Sequence, residues 1–492
     1  MRWVRGATSL LMAAGWMVAH AGNSPRAGAD DFDEVRRFIR DGLVERSVPS
    51  LAVAVAKDGK ILWEEGFGWA DREQRRLANP HTVYSLASIS KPITTTGLMT
   101  LVQAGKVQLD RPINDYLGAA KLRARVGDAK DATVRRVTEH TSGLPMHWQY
   151  FYADEPYRRP SADDSILRYG NLITAPGEAY EYSNIGYGVL DYVIERVSGR
   201  SYADFMRDAV FLPLGMTRSS VDLAPGLETN AATRYDAAGA PLPHYDSDSR
   251  GGSNVWASAH DLVTFGMFHL HTPLPAQQRI LSDASIETMH RRTAGTDAHG
   301  YGIGFEVGDR NGERLIGHSG SMGGVRTQMM LFPERKLAIV VLSNSNDDLV
   351  GETAERIAAK LLPKWPIPPP RTWPEPPPFV TPDELLGTWR GTLVTYNQDL
   401  PVELSFLPSG EVHAQVGGQL RTLVNSAHFE NNKFTGELGA RIGTADTERY
   451  DYTVRLSLQL RGTVLNGGAT ARDVETQRMR NALTHWLELT KE

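Results

Sequence analysis

The stretch SLASISKPIT, residues 85–94, puts Lys91 three positions after Ser88, where an apolar strand pattern hands over to a helical one. Residues three apart share a helix face, so a helix opening at Ser88 brings the Lys91 amine to the Ser88 hydroxyl. A serine is a weak nucleophile until a neighbour takes its proton, and a lysine with an ordinary pKa of about 10.4 stays charged at neutral pH. Burial and the positive end of a helix both disfavour the charged amine and lower that pKa. The pair therefore reads as a nucleophile with its base. A chain of this size should contain Ser-x-x-Lys about once by chance, so the reading needs support elsewhere.

Two further clusters supply it. Tyr182-Ser183-Asn184 stands on a turn after Pro176-Gly177 and just before an amphipathic helical pattern. A phenol there would share the proton transfer, and an amide would orient lysine and substrate. Tyr169-Gly170-Asn171 competes for the role but lacks that loop setting. Downstream, His318-Ser319-Gly320-Ser321 ends a strand pattern, with a glycine that lets a substrate backbone lie alongside. The amides of Ser88 and Ser321 would make a two-donor oxyanion hole.

Ser-x-x-Lys, Tyr-x-Asn and His-x-Gly, in this order and at these separations, resemble the serine β-lactamase and penicillin-binding protein superfamily. The nearer likeness is to its class C and DD-peptidase branch, which includes the CubicO-type hydrolases. It extends through HTSGLP (140–145), PGEAYEYSN (176–184), GGSNVWASAHDLVTF (251–265) and LAIVVLSNSN (337–346), and covers about residues 30–362. The resemblance implies Ser88 as the acylated nucleophile, Lys91 as base, Tyr182 as second acid/base and Asn184 as the substrate-orienting amide. His318 stands where β-lactam-hydrolysing members of the branch usually present lysine, so efficient β-lactam turnover is not expected. If a substrate carboxylate is bound, a protonated His318 or Arg326 is the candidate to meet it, and Arg326 reads equally well as a surface strand residue.

Around these motifs the chain divides by pattern. Residues 32–43 space their apolar side chains as one helical face, and LAVAVAKDGKILWEEGFGWAD (51–71) reads as a hairpin about Asp58-Gly59. The region from about 85 to 265 is mostly helical, including a segment 145–175 whose Trp148, Tyr150, Phe151 and Tyr152 are expected either to line the pocket or to belong to the core. From about 300, sequential strands return, closed by the helical ETAERIAAKLLP. The expected fold is α+β: one antiparallel sheet flanked by the terminal helices, with a helical subdomain beside it and the site between. Prolines from 363 to 378 mark a stiff linker over 363–379. Beyond it, residues 380–492 alternate as a small antiparallel β-barrel, whose Gly387-Thr388-Trp389 opening resembles lipocalin-like barrels.

Arg2 and Arg5, an apolar run and Ala19-His20-Ala21 read as a signal peptide over residues 1–21 of a periplasmic or secreted protein. The apolar run is too short to span a membrane. The 492 residues carry a net charge of −5 with no basic block, so a nucleic-acid partner is not expected. The chain has no cysteine, which excludes thiol chemistry. The expected mechanism needs no metal or organic cofactor.

The leading expectation is an exported serine hydrolase acting on peptides, of DD-peptidase or D-amino-acid type. Esterase or weak β-lactamase activity on the same fold stays open, as does a non-catalytic penicillin-binding sensor. Self-association through the C-terminal barrel is a further open reading. An α/β-hydrolase fails because neither Ser319 nor Ser321 has glycine at both −2 and +2. A metallo-hydrolase fails because His269-Leu270-His271 has no acidic ligand after it.

Overall fold

The computed structural model describes residues 32–296, 299–369, 377–474 and 478–492. The expected signal peptide lies outside them. Among the described residues, no helix is long and apolar enough to cross a membrane.

The buried strand Ser50–Lys57 explains the main sheet. Its alternate side chains point to opposite faces. Leu51, Val53 and Val55 join Ile339 and Val341 beneath the two terminal helices, Asp33–Glu45 and Leu349–Leu361. Ala52, Ala54 and Ala56 face the other way, into the larger core that holds Leu262, Val263 and Phe265 of the helix Ala259–His269. That helix lies close to the sheet because Gly266 has no side chain; a Cβ there would come 2.8 Å from Leu331.

Among the described residues, the sheet has nine antiparallel strands. Its order is Ala294–Gly295, Gly300–Tyr301, Glu306–Arg310, Glu313–Met322, Val325–Phe332, Leu337–Ser343, Ser50–Lys57, Lys60–Asp71, Arg76–Leu77. The N-terminal hairpin thus pairs directly with the C-terminal strands, Val53 opposite Val341. Strands from both ends of the segment close one sheet, as the hydrophobic pattern requires.

Between them the chain forms helices and small sheets. The expected helix over 145–175 is corrected here. Trp148–Tyr152 is a buried strand, and only Ala162–Tyr169 is helical. The five consecutive residues WQYFY are all buried, and a short apolar run buried on both faces carries no helical or strand period to read. This strand pairs with Tyr245–Ser247 on one side and with Asn481 and Ala482 on the other.

The proline-rich segment begins packed rather than free. Trp365 is buried, crosses Phe332 edge-on with ring centres 5.2 Å apart, and donates its Nε1–H to Glu355 at 2.7 Å. Residues 370–376 lie outside the described residues.

The C-terminal strands form one antiparallel sheet in which the last, Asn481–Lys491, inserts beside the first, Gly387–Val394. The two ends of the sheet, Thr422–Leu423 and Asn425–Glu430, are joined by Val424, whose amide donates to the Val412 carbonyl at 2.7 Å. The sheet therefore curls into a near-barrel. Leu393, Leu404, Val454, Leu456 and Leu487 meet inside and leave a void of only about 10 Å³, scarcely one water. Its interior is a packed core.

Candidate active site

Ser88 lies in the 3-10 turn Ala87–Ile89, two residues before the helix Ser90–Gln103 begins. It therefore precedes the helix rather than opening it. Ala87, just before it, holds a positive φ of 47°, a backbone state an alanine adopts only where its surroundings impose it. Ser90 supplies one constraint: its Oγ–H donates to the Ala87 carbonyl at 2.7 Å while the oxygen accepts from the Val255 amide at 2.9 Å. The Leu86 amide donates to the Val255 carbonyl at 2.9 Å, and Thr327 Oγ1 donates to the Leu86 carbonyl at 2.9 Å. Pinned from both flanks, the turn leaves Ser88 partly open while its neighbours Ala87 and Ile89 are buried.

Lys91, one residue into the helix, is fully buried. Its Nζ lies 3.0 Å from Ser88 Oγ and 3.0 Å from the Gly252 carbonyl. Burial pushes the amine well below its ordinary pKa, with Glu306 pulling the other way. A neutral amine that donates to Gly252 keeps a lone pair for the Ser88 proton. Gly252 sits in the turn Arg250–Ser253, fixed where Thr94 Oγ1 donates to the Gly251 carbonyl at 2.7 Å and the Gly251 amide donates to Asp191 at 2.8 Å.

Tyr182 completes the cluster. Lys91 Nζ stands 4.8 Å from the centre of its ring. Burial raises the phenol well above its usual value, while the bond to Ser88 draws it back. The ring rests on His140, centres 4.3 Å apart, and the next amide, Ser183 N–H, donates to His140 Nδ1 at 3.0 Å. Ser183 then caps the helix Asn184–Ser198 by accepting from the Gly186 amide at 3.2 Å. Tyr169-Gly170-Asn171 is elsewhere: Tyr169 is buried and donates to Asp446 at 2.8 Å.

Asn184 lies beside these groups, yet its Nδ2 faces Met146 Sδ at 3.9 Å, and the contact that orients Lys91 comes from Gly252. The expected amide–lysine contact is thus replaced by a backbone carbonyl.

The strand Glu313–Met322 closes the site. Gly320 is buried against the serine turn; a Cβ there would collide with the Leu86 carbonyl and Thr327 Oγ1. Ser321, next along, is exposed, with Oγ 3.3 Å from Asn346. The neighbouring strand Glu306–Arg310 pairs only as far as Gly317, so this edge is unpaired by it from His318 onward.

His318 corrects the expectation of a carboxylate-binding cation. Its Nδ1 lies 2.6 Å from the Ser319 carbonyl, which can only accept, so Nδ1 carries the hydrogen. Nε2, 2.9 Å from the Tyr301 hydroxyl, then accepts. The ring is buried, and burial together with Lys91 lowers it to about 3. It is neutral at physiological pH. Arg326 lies opposite Ser321 and is paired with Asp348 at 3.2 Å.

His140, Gly252, Tyr301 and Glu306 were not singled out by sequence. Glu306 is the first residue of its strand, with Oε1 3.7 Å from His318 Nδ1. His269 and His271 do not converge: His269 is buried against Thr96 and His290, whereas His271 is exposed beside Asp283. Among the described residues, Glu64, His81 and His260 alone bring three candidate metal-ligating atoms within 4.8 Å of one another. His260 Nδ1 and Glu64 already make an ion pair at 2.8 Å.

The Beta-lactamase family profile matches residues 35–362. Penicillin-binding protein 4* of Bacillus subtilis is 27% identical over 333 residues, covering 63% of this chain and 71% of that protein. The octameric penicillin-binding protein homologue from Pyrococcus abyssi superposes with a TM-score of 0.59 at 22% identity, over 92% of this chain and 99% of its own. A class C β-lactamase from Rhodobacter sphaeroides gives 0.55 at 23% identity, over 67% and 98%. At these identities the two structures share the fold.

Proposed function

Because the chain belongs to the beta-lactamase family of serine hydrolases, we propose that it is an exported acyl-transfer enzyme working through a Ser88 acyl-enzyme. Peptides, including those with D-residues, are its leading substrates. The observation that carries this reading is the fully buried Lys91 amine 3.0 Å from Ser88 Oγ. Ser88 Oγ attacks the substrate carbonyl as its proton passes to Lys91. The oxyanion is held by the amides of Ser88 and Ser321. Proton return through Tyr182 releases the leaving group, and water then cleaves the ester by the same relay. Asn184 and the strand residues Ser319 and Gly320 orient the acyl chain.

Small esters are the second reading. It is favoured by the neutral His318 and by Arg326 being paired with Asp348, since neither is then a free cation for a substrate carboxylate. The same facts count against efficient β-lactam turnover. The octameric Pyrococcus neighbour supports a homo-oligomeric state, which light scattering on the purified protein would test. Export through a signal peptide over residues 1–21 is part of the proposal, and N-terminal sequencing of the mature protein checks it.

The test is intact mass spectrometry of wild type and Ser88→Ala after brief exposure to a penicillin, a D-Ala-terminated peptide and an activated acetyl ester. An adduct or product confined to wild type is expected. Identical reaction of both proteins would remove Ser88 as nucleophile; a stable adduct without turnover of any ligand would instead favour a sensor.

A further inference from the structure

Glu64, His81 and His260 take no part in the arrangement around Ser88. Glu64 comes from the strand Lys60–Asp71, His81 from the turn before the strand Val83–Ser85, and His260 from the first turn of the helix Ala259–His269. One ligand atom from each lies within 4.8 Å of the other two. In the main sheet, Lys60–Asp71 stands four places from Glu313–Met322, the strand that closes the active site. At ordinary strand spacing that is about 19 Å.

Backbone contacts build the convergence. The Asn79 amide donates to Thr82 Oγ1 at 2.9 Å, the Thr82 amide to the Asn79 carbonyl at 3.0 Å and the His81 amide to Asn79 Oδ1 at 2.9 Å, which closes the turn. The His260 amide donates to the Pro80 carbonyl at 3.2 Å and ties this turn to the helix. Gly66 shares a strand face with Glu64, and a Cβ on it would come 2.4 Å from Asn79 Cα, so strand and turn touch. Ser258 fixes the helix start by accepting from the Asp261 amide at 3.1 Å. The cluster is thus held by three anchored elements, and binding has little order left to create.

Two imidazoles and one carboxylate are the donor set of zinc sites that keep a fourth position for water. His260 Nδ1 is 2.8 Å from Glu64 Oε2, close enough to share a hydrogen, and a metal ion can take the place of that hydrogen. The imidazole ring centres are 4.7 Å apart and tilted by 53°, so the ring edges can converge on one point. Donor atoms 2.0–2.1 Å from a tetrahedral zinc stand about 3.3 Å apart; the Glu64–His260 pair must open slightly and His81 must close in. His81 is exposed and has room to turn, while Glu64 and His260 are partly buried. The positive end of the helix opposes a cation at His260, and the Glu64 charge offsets it.

We propose that Glu64, His81 and His260 bind a divalent transition metal ion, zinc foremost, with water as the fourth ligand. The ion clips strand, turn and helix together beside Val83–Ser85, the strand that leads into the serine turn. The site is structural and does not depend on acyl transfer at Ser88.

The experiment uses the purified, untagged protein after EDTA treatment, as wild type, His81→Ala and His260→Gln, with zinc binding read by titration calorimetry and thermal unfolding. Wild type is expected to bind one zinc ion per chain and to unfold at a higher temperature in its presence. Each variant should bind weaker by roughly ten- to hundredfold or more, since losing a direct ligand costs no less than losing an outer partner of one. His81 is exposed, so His81→Ala should unfold without zinc at the wild-type temperature; were it to unfold early, His260→Gln would carry the comparison. Absence of saturable zinc binding to wild type overturns the proposal. Binding of wild-type strength in either variant overturns it as well, as does binding that appears only at millimolar zinc.

Discussion

At the scale of single residues, the proposed chemistry depends on one amine that has been taken out of water. Lys91 has no carboxylate bonded to it, and its two hydrogen-bond partners, Ser88 Oγ and the Gly252 carbonyl, are both uncharged. The sign of the resulting pH dependence follows. Only the neutral amine accepts the serine proton, so kcat/KM should rise with pH through the lowered Lys91 pKa and be lost below it. The acidic limb should fall well below the ordinary lysine range and disappear with the activity in Lys91→Ala; a limb near pH 10 would mean that the lysine is charged in the free enzyme. Ser88 and Lys91 were legible in sequence because their contact is made within one helical turn. Tyr182 was legible because a loop and a helix start mark it. His140 opens the HTSGLP stretch but was given no role, and Glu306 stands at a polar strand position without any mark; each reaches the site only through tertiary packing.

At the scale of elements, the serine turn works because strand and helix hold it from opposite sides. The Ala87 backbone is kept at positive φ while Ser90, Val255 and Thr327 tie down the carbonyls and amides around it. Gly320 is what lets the strand Glu313–Met322 approach this turn. Gly320→Ala should therefore push the strand from Leu86 and Thr327, destabilise the protein by about 1–3 kcal/mol, and reduce acylation by widening the gap between the Ser88 and Ser321 amides. Thermal unfolding and burst kinetics with an activated ester check the two effects; unchanged burst amplitude and rate would show that the strand edge is not part of the oxyanion hole. The main sheet could be read from strands alternating or wholly apolar at both ends of the segment. Trp148–Tyr152 could not, because it is buried by two partners far away in sequence, Tyr245–Ser247 and the strand Asn481–Lys491.

At the scale of the whole molecule, the C-terminal near-barrel is joined to the loop that carries Tyr182. Arg461 pairs with Glu178 at 2.6 Å and Lys433 pairs with Glu181, so both ends of the segment leading to Tyr182 are held by barrel side chains. Thr484 donates to the Met146 carbonyl at 2.6 Å, and the thioether of Met146 meets Asn184. With its interior filled by aliphatic side chains, the barrel has little room for a ligand, and its contacts are those expected of an element that positions this loop. The ion pairs are partly exposed, at 31% for each side chain of the Arg461–Glu178 pair, so each contributes at most about 1 kcal/mol to stability. Their effect on a proton relay can be larger, because misplacing a catalytic group by about 1 Å costs on the order of a hundredfold in rate. The double variant Lys433→Ala/Arg461→Ala should therefore unfold at nearly the wild-type temperature and bind substrate with similar KM, yet lose kcat. Lys433→Arg alone should retain activity, since it keeps the cation opposite Glu181. A double variant whose kcat matches wild type would leave the barrel a passive neighbour; one that loses KM and stability together would make it a structural prop. The predicted split, kcat without KM, is the result that a loop held in place for proton transfer requires.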